Sequence, residues 1–357
     1  MHLCTDGKYS RYLYALSVIG TLVYTLLVCK CTAFLAKGDK DQAPAHSAYY
    51  WSTVFDLDST QTAFISRQHI NKLYLRYFDV VMTNGQPMPN ATVQFQTAKP
   101  DSMEIVPTVF IMNDCMGKAQ PELDSLLLGR ILQMSETHDM GPIHEVQLDC
   151  DWTKATRGNY FDLLQRLRKR AKTHGIEVSS TIRLHQLSQA PPPVDRGVLM
   201  MYNTGDVTRF NGTDPILDMR DVKPYLPYLQ DYNLPLATAY PVFSWKVVFR
   251  KVTMESRLTR ERENEGAKER RGEATWKYIG ILHSDEYLPI LPGDTIVERQ
   301  PTPDMVRRAR QAIDSLRPDA NREIIIYDIS KQNIQRIKTY HYEKILCSHP
   351  AGTGTQP

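Results

Sequence analysis

From about Tyr49 onward, short runs rich in β-branched and aromatic residues alternate with amphipathic helical stretches, and that alternation leaves few folds open. Strands separated by helix-length connections are joined as parallel neighbours, since a hairpin needs only a few linking residues. Eight strand-like runs are expected: Ser52–Phe55, Lys72–Phe78, Ile105–Met112, Glu145–Cys150, Glu177–Ile182, Gly197–Tyr202, Leu236–Val242 and Glu323–Tyr327. Eight parallel strands with helices between them fit an α/β fold of the closed (β/α)₈ TIM type better than an open sheet. No GxGxxG or GxxxxGKS pattern occurs, so nucleotide binding of those kinds has no support.

The intervening helices are clearest at Pro121–Glu136, Tyr160–His174 and Pro303–Leu316. In the second, Phe161, Leu164, Leu167 and Ala171 recur at three- and four-residue spacing, while Arg166, Arg168, Lys169 and Arg170 fill the opposite face. That basic run reads as the solvated side of an outer-ring helix. Residues 250–272 are almost wholly polar and charge-dense, so they bury too little surface to fold alone and read as a mobile insertion. They interrupt an excursion after the seventh strand, with Trp245–Phe249 and Thr275–Leu282 as hairpin arms. The barrel domain is therefore placed at 46–349, after an N-terminal segment and linker over 1–45 and before a disordered tail over 350–357.

Lys8 and Arg11 precede a charge-free stretch from Tyr12 to Cys29, close to the ~20 apolar residues that span a bilayer. It reads as an export signal or membrane anchor. Leu26-Leu27-Val28-Cys29 has the form of a lipoprotein box with Cys29 as the lipidation candidate; cleavage after Ala33 and an uncleaved anchor are the alternatives. Either way the chain is expected outside the cytoplasm, in the cell envelope. Cys4, Cys29 and Cys31 lie in this segment, which leaves Cys115, Cys150 and Cys347 without CxxC spacing, so no disulfide framework is expected. The 43 basic residues nearly cancel the 40 acidic ones, and a net charge of +3 argues against a nucleic-acid partner. A monomer is expected.

In closed α/β barrels the working residues sit at the carboxyl ends of the strands. Asp56 and Asp58 follow the first run, Asp79 the second, Asp114 the third, and Asp149 and Asp151 the fourth. Arg183 and His185 end the fifth, Tyr202 and Asn203 the sixth, Trp245 lies past the seventh, and Asp328 closes the eighth. In Val146-Gln147-Leu148-Asp149-Cys150-Asp151-Trp152, alternate residues share a face, so Gln147, Asp149 and Asp151 point toward the barrel axis. Two carboxylates this close do not both ionise cheaply, and one of them is expected to hold its proton to higher pH.

These residues resemble the chitinase-like, family 18 type of glycoside hydrolase barrel. That family carries DxxDxDxE on its fourth strand, and Asp149 and Asp151 match its second and third aspartates, with the aromatic Trp152 next. Its sixth-strand motif, Met-x-Tyr followed by Asp or Asn, is matched by Met200-Met201-Tyr202-Asn203, which implies sugar contacts for Tyr202 and Asn203. The family's catalytic Glu falls on Thr153 here and its first Asp on Val146. Segments such as LYLRYFDVV, VQLDCDWT, STIRLHQL and GVLMMYNTGD also resemble a group of exported Bacteroidetes proteins, which implies a compartment and a fold.

The first expectation is a carbohydrate-active hydrolase, with Asp151 as acid/base and Asp149 as its pKa-setting partner. Asp79, Asp114 or Asp328 would supply a second carboxylate, and Trp51, Trp152, Tyr202 and Trp245 the sugar-stacking faces. Carboxyl separations of roughly 5–5.5 or 6.5–9.5 Å would then decide between retention and inversion. The second is a non-catalytic barrel binding a glycan or other ligand at the same mouth, which the Thr153 replacement favours. The third, metal-dependent hydrolysis, would use Asp79, Asp114, Asp149, Asp151, His144 and His185; no HExxH or similar spacing accompanies them, and neither metal nor organic cofactor is expected.

Overall fold

A computed structural model of the chain describes residues 44–252, 275–282 and 288–346. The N-terminal segment with Cys29, most of the charged 250–272 stretch, Cys347 and the tail lie outside them. Among the described residues no helix is long and apolar enough to cross a membrane.

Among the described residues eight parallel strands close into a barrel: β1 (Ala45–Tyr50), β2 (Ile70–Thr83), β3 (Glu104–Ile111), β4 (Glu145–Asp149), β5 (Glu177–Ile182), β6 (Arg196–Met200), β7 (Leu236–Pro241) and β8 (Glu323–Tyr327). Closure is made by β1, which pairs with β8 on one side (Ser47 opposite Ile325) and β2 on the other (Tyr49 opposite Tyr74). The main outer helices are α1 (Ser59–Arg67), α2 (Leu123–Thr137), α3 (Arg157–Lys172), α4 (Pro303–Leu316) and α5 (Lys331–Tyr340).

The expected first strand is corrected. Ser52–Phe55 has the stronger β composition, but only Val54–Phe55 is extended, in a two-stranded ladder with Gln94–Phe95 outside the barrel. The preceding Ala45–Tyr50 segment, with weak β propensity, takes the barrel position because it has partners on both edges. Asp56 and Asp58 therefore lie in the loop to α1, where Asp58 accepts a hydrogen bond from the Gln61 amide as the helix N-cap.

Strand alternation sorts the core into two. Outward residues such as Leu73, Leu75, Val109, Leu148 and Ile324 pack under the helices, against Leu127, Leu164, Leu167, Val306 and Ile313. On α3 the buried residues are Tyr160, Leu163, Leu164, Leu167 and Ala171. Its basic face is held by acids: Arg166 and Arg170 bind Asp124, and Arg168 binds Asp195. Inward residues Tyr49, Tyr74, Val106, Val198, Ala237, Ala239 and Ile325 fill the barrel axis. Each large apolar side chain so buried is worth roughly 1.5–3 kcal/mol relative to exposure.

At the amino end the axis is closed by charge. Lys72 bridges Glu145 at 3.2 Å and Glu104 at 3.6 Å, and Arg196 binds Glu323 and Glu145. Ser47 and Tyr74 hydroxyls donate to Glu323 at 2.6 and 3.2 Å. After β7 the chain makes a three-stranded antiparallel sheet, with Trp245–Val252 between Thr275–Ile281 and Thr295–Arg299. Its first two strands match the expected hairpin arms.

Candidate functional site

Inward residues of β4 and β5 face one another in a ladder that climbs toward the carboxyl mouth. Lowest, the Tyr49 hydroxyl donates to Gln147 Oε1 at 2.6 Å, and Gln147 Nε2 to Ser179 Oγ at 3.4 Å. One rung up, Thr181 Oγ1 donates to Asp149 Oδ1 at 2.6 Å. At the top, beyond the strand ends, Arg183 turns back over both acids: Nη2 binds Asp149 Oδ1 at 3.1 Å, Nε binds Asp151, and Nη1 touches Met200 Sδ. The two-residue period puts Gln147, Asp149 and Asp151 in one row and Ser179, Thr181 and Arg183 in the other.

The two aspartates differ sharply in environment. Asp149 is 3% exposed, whereas the Asp151 side chain is 56% exposed and opens to solvent at the mouth. Burial raises the Asp149 pKa; Arg183 opposes the rise and Asp151 reinforces it. The proton-retaining group is thus the buried one. Burial would depress the Arg183 guanidinium, but Asp149 and Asp151 overcome it and hold the cation above its ordinary value.

Above this centre lies a continuous aromatic rim. Tyr202 stacks on Tyr327 with centroids 4.5 Å apart, and Phe243 meets Tyr202, Tyr327 and Trp245 at 5.9, 5.7 and 5.5 Å. Trp51, the first residue past β1, packs against Tyr49 and Tyr327, both at 5.9 Å. The Tyr202 hydroxyl is buried and makes no hydrogen bond among the described residues. Burial first, then the neighbouring phenols, keeps Tyr202 well above the usual phenol pKa, so it stays a neutral donor. Asn203, next in the chain, is exposed with a left-handed φ of 54°.

The other expected site residues fall less centrally. Asp79 is 9% exposed and bound by Arg76, whose Nε reaches Oδ1 at 2.8 Å. A bulge between Arg76 and Phe78 brings residues three apart to the same side of β2. Arg76 also lies over the Trp51 ring at 5.6 Å, so Asp79 positions the guanidinium that supports Trp51. Asp114 is exposed in the turn after β3, and His185 in the turn after Arg183. Asp328 stands beside Tyr327, one residue out of phase with the inward row, and enters a separate cavity between the ends of β1 and β8.

The expectation that Trp152 offers a stacking face is corrected. It is wholly buried, outside the barrel, with its ring edge-on to Phe161 of α3 at 5.2 Å. After Asp151 the chain turns outward into α3, and Thr153, whose amide donates to Thr156 Oγ1 at 2.9 Å, belongs to that turn. Tyr327, Phe243, Arg76 and Thr181 were missed in the sequence. Alternation from Ile325 would have found Tyr327, and alternation back from Arg183 would have found Thr181. Among the described residues no three His, Cys, Asp or Glu side chains form a group that could hold a metal ion. Cys115 and Cys150 are buried free thiols.

No family model matches the chain, and no curated protein does. Solved structures do. The "C-terminal domain of putative chitinase" from Desulfitobacterium hafniense DCB-2 superposes with a TM-score of 0.50 at 10% identity, covering 85% of this chain and 100% of that one. The spore cortex-lytic enzyme SleL of Bacillus megaterium QM B1551 gives 0.49 at 11% identity over 84% of this chain and 75% of its own. The chitinase of Chromobacterium violaceum ATCC 12472 gives 0.48 at 12% identity over 84% and 99%. At such identity the likeness is one of fold.

Proposed function

We propose that this chain is a glycoside hydrolase-like barrel that takes a carbohydrate at its carboxyl mouth, with Asp149 and Asp151 as the reacting carboxylates. The observation that carries this reading is the pairing of one solvent-facing carboxylate, Asp151, with one buried carboxylate, Asp149, under a single guanidinium and beside an aromatic rim. Sugars present apolar ring faces and hydroxyl edges, and such a mouth supplies aromatic and acceptor groups for both. The fold shared with a chitinase domain supports the same ligand class.

The chemistry divides by environment. Asp151, exposed and paired with Arg183, is placed to act as base or to stabilise an oxocarbenium-like centre. Asp149, whose pKa burial raises, is the carboxyl of the pair more disposed to take up a proton. Tyr202, Asn203 and Trp245 would contact the sugar, with Arg183 fixing both acids. We place this activity outside the cytoplasm on the strength of the charge-free Tyr12–Cys29 run.

A second reading, binding without cleavage, is favoured by Thr153, which stands where the resemblance puts a catalytic Glu, while Arg183 engages both remaining acids. Incubating the purified protein and its Asp151→Asn variant with a panel of polysaccharides and aryl glycosides separates the two. Turnover lost in the variant supports hydrolysis, and turnover unchanged removes Asp151 from the mechanism. Saturable glycan binding with no turnover on any substrate establishes the second reading.

A further inference from the structure

A cavity of about 420 Å³ lies between the loops that leave β1 and β8. That volume falls within the roughly 300–1,000 Å³ of small-molecule sites. Its wall includes Trp51, Ser52, Asp56, Asp328, Ser330 and Lys331. The Asp56 backbone is pinned by Tyr50, whose hydroxyl accepts from the Asp56 amide at 3.0 Å while donating to Val54 O at 2.9 Å. The Asp56 carboxylate itself accepts no hydrogen bond among the described residues. Asp328 uses Oδ1 for the Ser330 amide and Asn333 Nδ2, both at 2.8 Å, which leaves Oδ2 outside those bonds.

The carboxylates of this cavity are not matched by a cation within it among the described residues. The lysine in its wall, Lys331, is paired with Asp58 at 3.3 Å, and among the described residues neither Asp56 nor Asp328 has an ion pair. Trp51 forms one wall and also packs against Tyr327 of the aromatic rim, so the cavity adjoins that rim.

We infer that this cavity is a subsite for a sugar unit that brings hydroxyl or amino donors and no acid group. The inference rests on the proposed glycan at the mouth and narrows its class. A neutral sugar satisfies the two carboxylates through hydroxyl donors, and an amine adds charge attraction. A uronic or sulfated unit brings a further acid group, with acceptors only, to a wall whose Asp56 and Asp328 are themselves acceptors.

The test is calorimetric titration of the full chain with oligomers of matched length: cello-oligosaccharide (neutral), chitosan oligomer (amine-bearing) and oligogalacturonate (acidic). Wild type, Asp56→Asn and Asp151→Asn are compared, with Trp51→Phe as a second cavity variant. The expected result is binding of the first two, tighter for the amine, and none of the acidic oligomer. Asp56→Asn should weaken the chitosan oligomer tenfold or more and remove the preference, which Asp151→Asn should keep. Equal binding of all three oligomers overturns the inference. So does an unchanged preference in Asp56→Asn; if Asp151→Asn then weakens binding, the mouth reading stands without the subsite. Conversely, an amine preference lost in Asp56→Asn, together with a mouth insensitive to Asp151→Asn, keeps the subsite and removes the mouth reading.

Discussion

Arg183 holds Asp149 through a 3.1 Å bond from Nη2 to Oδ1, inside a barrel mouth where Asp149 is 3% exposed. A buried carboxylate stripped of its cation is an uncompensated charge in a low-dielectric site. The Arg183→Met variant is therefore expected to lose about 3–5 kcal/mol of stability at neutral pH, with a smaller loss in acid, where Asp149 is protonated. Urea unfolding at both pH values checks it, and a loss under about 1 kcal/mol at neutral pH would contradict the pairing.

The two ends of the barrel should respond oppositely to pH. Asp149 has a folded pKa raised above the ordinary 3.8, so its stabilising contribution is complete below that value and is lost as pH rises through the folded pKa. At Glu323, burial works against ionisation, but Arg196 and Lys72 outweigh it and lower the pKa below 4.5; its contribution is present above 4.5 and lost as pH falls. Glu323→Gln should thus reduce the stability lost on acidification, whereas Asp149→Asn should remove the opposing gain. The readout is the slope of unfolding free energy against pH. Parallel slopes in the two variants would refute the assignment.

Trp152 and Trp51 should separate packing from recognition. Trp152 is 0% exposed beneath α3, and Trp152→Ala is expected to cost about 3–5 kcal/mol in denaturant unfolding. Trp51 is only partly buried at the mouth, so Trp51→Ala should cost less while weakening any bound glycan. A Trp152→Ala variant of near wild-type stability would reopen the stacking role.

Asp151→Asn should leave the fold intact. Its side chain is 56% exposed, and solvent-exposed ion pairs are worth about 1 kcal/mol or less. Unfolding midpoints of variant and wild type should therefore nearly coincide, so that a functional defect reports chemistry. A loss above about 2 kcal/mol would mean the Asp151–Arg183 pair is structural.

The β4 row was legible because its information is local. In Val146–Trp152 the backbone alone decides that Gln147, Asp149 and Asp151 share a face, and the structure has Gln147 and Asp149 on that inward side. Carried through, the same alternation puts Tyr327 inward and leaves both Asp328 and Trp152 out of phase with their inward rows. Asp328 ends a β run, but Tyr327 is the inward residue and Asp328 lines the neighbouring cavity. Trp152 packs instead against Phe161 of α3.

By itself the sequence determined the alternation of strands and helices, the apolar faces and the acids waiting at strand ends, since these depend on residues two to four apart. Only the tertiary structure decided that Ala45–Tyr50 closes the barrel and that Tyr49 meets Gln147, 98 residues on. It alone put both Asp149 and Asp151 under Arg183 and separated them into a buried and an exposed acid. Desolvation and ion pairing are set by whatever the closed sheet brings together, and no local period encodes them.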